Sequence, residues 1–255
     1  MNAISAPLLM VENLVVEFDG FRALGGVDFS VLPGSLRILI GPNGAGKSTL
    51  CDAIIGRVRA TEGRIIFKNE NITNLAEFEI VRRGICRKFQ APGIIPNLTV
   101  AENLHIAARI DRTCRRSFSH RLPAAEVARV TEILDLIGLT TRAEVLAGSL
   151  AHGEMQWLEI GMVVATDADL LLLDEPTAGM GPQDSARTAK LIKSLLGRHA
   201  VVVIDHDMSF VEALNGPVTV LHQGKTLREG SVAEIRSDPE VEAVYLGKAK
   251  NVAHA

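Results

Sequence analysis

An α/β architecture, built on a parallel sheet with an antiparallel β section and an inserted helical section, is what this 255-residue sequence predicts. Three observations predict it. An apolar strand pattern at residues 36–40 runs straight into a glycine-rich loop and then into apolar positions at helical spacing. Two continuous apolar runs, Leu170-Leu171-Leu172-Leu173 and Val201-Val202-Val203-Ile204, end in acids or histidine, the pattern of strands buried on both faces of a parallel sheet. Between residues 99 and 139, Val100, Leu104 and Ile106, then Val127, Val130, Ile133, Leu134 and Ile137 recur at three- and four-residue intervals, which predicts helices inserted between sheet strands.

Composition sets the outer limits. With 47% hydrophobic and 22% charged residues the chain has material for a sizeable core and is not predominantly disordered. Its length allows one large α/β domain or a core with a smaller companion. Lys+Arg 27 against Asp+Glu 30 leaves a net charge of −3, which argues against a protein that works by gripping a nucleic-acid backbone, although local basic patches stay open. Cys51, Cys86 and Cys114 are odd in number and lack metal-ligand spacing, so neither a disulfide scaffold nor a zinc site is favoured and a reducing compartment is the simpler reading. Residues 1–10 show no charged start with an apolar stretch behind it. The longest aliphatic run, at residues 170–173, is far short of the ~20 residues of a membrane span, so a cytoplasmic chain without its own anchor is expected.

In chain order, residues 8–18 alternate, with Val11, Leu14 and Val16 among polar neighbours. Residues 29–31 are strand-like after Gly25-Gly26, so the chain opens with an antiparallel sheet. The strand at 36–40 follows, then the loop and a helix with Leu50, Ala53, Ile54 and Ile55 at helical spacing. Residues 91–97, with Pro92, Gly93 and Pro96, have the composition of a mobile connector into the helical section. After the two apolar strands come a hairpin, from 218–221 through Gln223-Gly224 to Thr226-Leu227, and a closing helix over 234–246. The expected organisation is one domain over residues 8–247, with a helical subdomain at about 91–165, and a tail at 248–255. Three features take plain readings: Arg109, Arg112, Arg115, Arg116 and Arg121 as a solvated face, Trp157 as packing, and Cys51 as a small buried filler.

The loop carries the first chemistry. Gly41-Pro42-Asn43-Gly44-Ala45-Gly46-Lys47-Ser48, continuing into Thr49, fits G-x-x-x-x-G-K-[ST]. Glycines there let backbone N–H groups surround phosphate oxygens while the following helix presents its positive end. Lys47 reaches the β- and γ-phosphates of a nucleotide and Ser48 ligates Mg²⁺. A P-loop NTPase core is therefore predicted.

Two acids follow the leucine run. Alone, Asp174-Glu175 would read equally well as strand-end residues capping a turn. Beside a phosphate loop, Asp174 is suited to the Mg²⁺ shell and Glu175 to polarising an attacking water as general base. His206, one residue past the Val201–Asp205 strand, is placed to hydrogen-bond the γ-phosphate and that water.

In kind and order these motifs resemble the nucleotide-binding subunits of ABC transporters over nearly the whole chain. The resemblance implies that 41–48 is the Walker A loop, that Leu170-Leu171-Leu172-Leu173-Asp174 with Glu175 is the Walker B segment, and that His206 is the switch histidine. Gln90, in Arg87-Lys88-Phe89-Gln90, matches the Q-loop glutamine, a catalytic and metal-shell position. Phe18, in Phe18-Asp19-Gly20-Phe21, matches the aromatic that stacks on adenine, with Phe21 the alternative. The L-S-G-G-Q signature falls on Leu150-Ala151-His152-Gly153-Glu154, of which Leu150 and Gly153 match. In the family this segment contacts the ATP of the opposite subunit. Ala151 lacks the usual hydroxyl, whereas backbone amides and helix dipole survive the change and His152 offers another donor. Gly181 stands where the D-loop usually has aspartate.

Because both altered motifs serve the partner's ATP, a non-identical ATPase partner is expected. Val203-Ile204-Asp205-His206-Asp207-Met208 and the stretch from Ser237 to Gly247 resemble the branched-chain amino acid importer branch. His152-Gly153 followed by Gln156-Trp157-Leu158-Glu159-Ile160-Gly161 is similar to the urea importer's ATPase. The resemblance implies ATP and Mg²⁺ as cofactors, two permease subunits, an extracytoplasmic solute-binding protein and a place on the inner face of the membrane. Import of urea, a short-chain amide or branched-chain amino acids is the expected function. A non-transport ABC ATPase acting in DNA repair or translation, a P-loop small-molecule kinase and a regulatory nucleotide-binding module are the alternatives.

Overall fold

The computed structural model describes residues 6–88, 93–108 and 123–251, with side chains described as far as residue 245. Strands β1 (Leu9–Phe18), β2 (Phe21–Val31) and β3 (Leu36–Ile40) lead into helix α1 (Lys47–Ile54), followed by β4 (Glu62–Phe67), β5 (Glu70–Asn71), α2 (Glu77–Arg83) and β6 (Ile85–Lys88). Next come α3 (Val100–Ala108), α4 (Ala124–Ile137) and α5 (His152–Ala165), then β7 (Leu170–Asp174), α6 (Pro182–Leu195), β8 (Ala200–Ile204) and α7 (Met208–Leu214). The chain closes with β9 (Val218–His222), β10 (Lys225–Gly230), α8 (Val232–Ser237) and α9 (Pro239–Asn251).

Among the described residues the strands form two sheets. One has the order β2-β1-β4-β5 and is antiparallel throughout. The other has the order β10-β9-β3-β8-β7-β6, parallel from β9 to β6, with β10 antiparallel at one edge. The leucine and valine runs are buried along their full length because alternate side chains serve two cores. Leu170 and Leu172, with Val202, Ile204 and Leu39, join the antiparallel sheet and the buried face of α1. Leu171 and Leu173, with Val201, Val203 and Ile38, join the helices on the other side.

The helical section packs α3, α4 and α5 against one another. Trp157 of α5 is a packing residue that ties this section to α6: its Nε1–H donates to Thr188 Oγ1 at 3.0 Å, and the Arg187 guanidinium lies 3.7 Å from its ring centroid. The basic run at 109–121 lies outside the described residues, as does Cys114.

Two expectations are corrected. The early strand does not begin after Gly25-Gly26: β2 runs through both glycines. It does so because β1 carries register shifts between Val11 and Leu14 and between Leu14 and Val15, so the ladder absorbs the irregularity instead of ending. The closing helix over 234–246 is two helices. Pro239 has no N–H to continue α8, and the carboxylate of Asp238 accepts the backbone N–H groups of Glu240 (2.9 Å) and Val241 (3.2 Å) to start α9.

Candidate active site

The parallel sheet brings the motifs together. β3, β8 and β7 are neighbours, and the pairing Leu39 with Ile204 and Ile204 with Asp174 sets their carboxyl ends level. Gly41, Asp174-Glu175 and Asp205-His206 therefore leave the sheet side by side, where open α/β sheets take ligands. A cleft of about 460 Å³ opens there, lined by Asn43 through Thr49, by Asp174 and Glu175, and by Phe18, Phe21 and Ala23 of the β1–β2 hairpin. Phe18 and Phe21 face each other across the hairpin end and are both exposed at the rim.

The loop leaves amides available. Gly46 caps α1 with φ 103°, no side chain caps that end, and no acidic residue stands in the first turn. Uncapped N–H groups and a positive helix end favour an anion. Gly41 must be glycine for another reason: a Cβ would lie 2.2 Å from the Leu221 carbonyl oxygen of β9. Lys47 Nζ donates to the carbonyls of Gly41 (2.7 Å) and Pro42 (3.1 Å), folded across the loop it belongs to.

Opposite the loop stand the two acids. Asp174 is almost fully buried, and its Oδ2 accepts from Arg87 of β6 at 2.7 Å. The other arm of the Arg87 guanidinium reaches Asp52 of α1 at 2.6 Å, so one cation joins α1 to the end of β7. Glu175 takes a left-handed backbone (φ 44°), its N–H donating to the Ile204 carbonyl at 2.8 Å. Its Oε1 lies 3.3 Å from His206 Nδ1. A carboxylate and an imidazole at that distance can hold a water and share its proton.

Cys51 lies beside this network, 1% exposed, and burial pushes its thiol up to about 12 against the opposing pull of Arg87. The thiolate is the reactive form, so Cys51 is expected to resist iodoacetamide at pH 8 in the folded protein and to react once the chain is denatured. Mass-spectrometric detection of native alkylation at Cys51 would contradict its placement.

The signature segment opens α5, with Ala151 as its N-cap. No hydroxyl caps that end; the Glu154 carboxylate reaches back to the Ala151 N–H at 3.0 Å. His152 directs Nε2 at the Ala178 carbonyl, 2.8 Å away, so its donor engages the chain's own D-loop. Gly153 lies against Asp184 of α6, and Gly181 is the N-cap of that helix, ahead of Pro182.

Phe18, residues 41–49, Asp174, Glu175 and His206 are thus gathered at one sheet end, whereas Ala151, His152, Gly153 and Glu154 stand at the start of a separate helix. Gln90 lies outside the described residues; β6, which leads to it, ends at Lys88. Sequence reasoning missed Arg87, Asp52, Thr177 and Asp205. Spacing held a trace of one: Ser48 and Asp52 are four residues apart on α1 and share a helix face.

Residues 24–178 match the family model described as ABC transporter. The chain is 33% identical over 254 residues to the high-affinity branched-chain amino acid transport ATP-binding protein LivG of Escherichia coli, covering 96% of this chain and 100% of that one. To the protein of the same description called BraF, from Pseudomonas aeruginosa, it is 34% identical over 256 residues with the same coverages. A crystal structure of an ATP-binding cassette of an ABC transporter in its ADP conformation matches with a TM-score of 0.84 at 32% identity, covering 95% of this chain and 100% of that chain.

Proposed function

Since this chain belongs to the ABC transporter family, we propose that it is the ATP-hydrolysing subunit of an importer, with the phosphate loop, general base and switch histidine all its own. The observation that carries this is the level exit of β3, β7 and β8, which sets loop and acids around one cleft with the His206 imidazole against Glu175. Amides at the start of α1 receive phosphate oxygens, and the Lys47 ammonium exchanges the Gly41 and Pro42 carbonyls for the β- and γ-phosphates. Phe18 stacks on adenine, with Phe21 across the hairpin from it.

When bound, Mg²⁺ neutralises charge on the transferring phosphates. The Ser48 hydroxyl and Asp174 carboxylate are hard oxygen donors that suit it, because Mg²⁺ usually takes one or two carboxylates together with substrate phosphates. Gln90 joins that shell on its match to the family's Q-loop glutamine in sequence. Glu175 accepts a proton from water as the water oxygen bonds to the γ-phosphorus and the bond to the ADP oxygen breaks. His206 holds that water from the other side, oriented by its contact with Glu175.

Ala151, His152, Gly153 and Glu154 serve the ATP of a second ATPase through the amides that open α5. With the signature hydroxyl missing and the His152 donor engaged with Ala178, that second site is the weaker one, and the partner is a non-identical subunit. We place the chain on the cytoplasmic face of the membrane, held by two permease subunits; no helix among the described residues is long and apolar enough to cross. The permease contact is at the connector from Gly93, which borders a groove of about 210 Å³ between β6, α3 and α5 floored by the buried Lys88–Glu159 pair. Closing around ATP moves the helical section, and the Gln90 connector passes that motion on.

The solute is urea or a short-chain amide on the likeness of the signature region, with branched-chain amino acids the second reading, favoured by what LivG and BraF are named for. Affinity purification of the tagged chain from its own membranes is expected to bring down permeases and a solute-binding protein that binds labelled urea, with ATP hydrolysis needing no phosphate acceptor. Binding of leucine but not urea selects the second reading. Absence of any membrane partner, or hydrolysis only with an acceptor, removes the transport reading.

A further inference from the structure

The turns that follow β7 and β8 hang from one buried carboxylate. Asp205 is 2% exposed. Its Oδ1 accepts the backbone N–H groups of His206 at 2.7 Å and Asp207 at 3.0 Å, and its Oδ2 accepts the Thr177 hydroxyl at 3.0 Å. Thr177 is two residues past Glu175, whose left-handed backbone is strained and persists only where its surroundings over-determine it. The restraints are visible: the Glu175 N–H binds the Ile204 carbonyl, immediately before Asp205, and the Thr177 side chain binds Asp205 itself. A strained acid and a largely exposed imidazole are thus held by the same two-residue stretch at the end of β8.

We propose that Asp205 is a positioning residue for hydrolysis: its three hydrogen bonds hold Glu175 and His206 in register, without a contact of its own to the nucleotide cleft. This rests on the reading of Glu175 as base. A buried carboxylate with three charge-assisted hydrogen bonds is a stiff strut, because breaking any of them strands a desolvated oxygen or donor. Asparagine can accept the two backbone N–H groups and donate to Thr177 Oγ1, whereas alanine can do neither.

The test uses the full chain in its co-purified complex, reading MgATP affinity with a fluorescent ATP analogue alongside steady-state turnover. Asp205→Ala is expected to lower kcat at least ~10-fold with affinity within about threefold of the parent, and Asp205→Asn to recover most of the loss. In a Glu175→Gln background, Asp205→Ala should cost nothing further, since both changes disable one device. Unchanged kcat, a parallel loss of affinity, or a full additive loss in that background each overturns the proposal. If Asp205→Ala does not fold, Thr177→Val decides: a fall in kcat at constant affinity supports the strut, and unaltered kcat overturns it. Failure of the parent chain to bind MgATP counts against the ATPase reading and is separable from all of these.

Discussion

Glu175→Gln is expected to bind MgATP as tightly as the parent and to hydrolyse it ~10²-fold more slowly or worse, the scale of a lost general base. The amide matches the carboxylate in shape but does not take up a proton at neutral pH. The left-handed backbone at 175 is restrained by the Glu175 N–H bond to Ile204 and the Thr177 bond to Asp205, both of which the substitution leaves in place. Amides of residues 44–49 and the Lys47 ammonium, to which the proposed function gives the triphosphate, lie on another strand exit and are untouched. Binding and hydrolysis should therefore part company. Rapid-quench measurement of phosphate release beside an equilibrium binding isotherm checks this, and near-normal turnover would move the base to another residue.

Lys47→Ala should fail earlier, at binding. A hydrogen bond to a charged group is worth about 1.5–3 kcal/mol, so losing the ammonium should weaken MgATP binding on the order of 10- to 10²-fold. Gly46 remains as the cap of α1, so the helix still starts in place and its amides still face the cleft. What goes is the positive charge and its two bonds to the Gly41 and Pro42 carbonyls, which brace the loop. Isothermal titration of the folded variant reads the change, and unaltered affinity would sink the assignment of residues 41–49 to the phosphates.

The motifs could be read in advance because each is local. A phosphate loop needs glycines and a lysine at fixed spacing, and a strand buried on both faces shows as an unbroken apolar run, so β3, β7, β8 and the loop stand out. Less of the rest was legible. β4 and α2 present mixed or exposed faces, with Glu62, Gly63 and Arg64 all exposed, and give no clean period. The bulged β1–β2 pairing let β2 continue through Gly25-Gly26 where local composition signals a break. At residue 238 the reverse holds: the apolar spacing of 234–246 is continuous, and only the Asp238-Pro239 step divides it into two helices.

By itself the sequence determined the residue types on which the proposed chemistry rests: a lysine and a glycine loop, two acids and a histidine at strand ends, and an alanine where the resembling family has a hydroxyl. Those follow from residue type and near-neighbour spacing. Only the tertiary structure decided which groups stand together. Arg87 joins Asp52 to Asp174 across 35 and 87 residues of chain, Asp205 joins Thr177 to the His206 turn across 28, and His152 meets Ala178 across 26. The reason is physical: strand order and register in a parallel sheet are set by packing two cores at once, and no stretch of sequence carries that information alone.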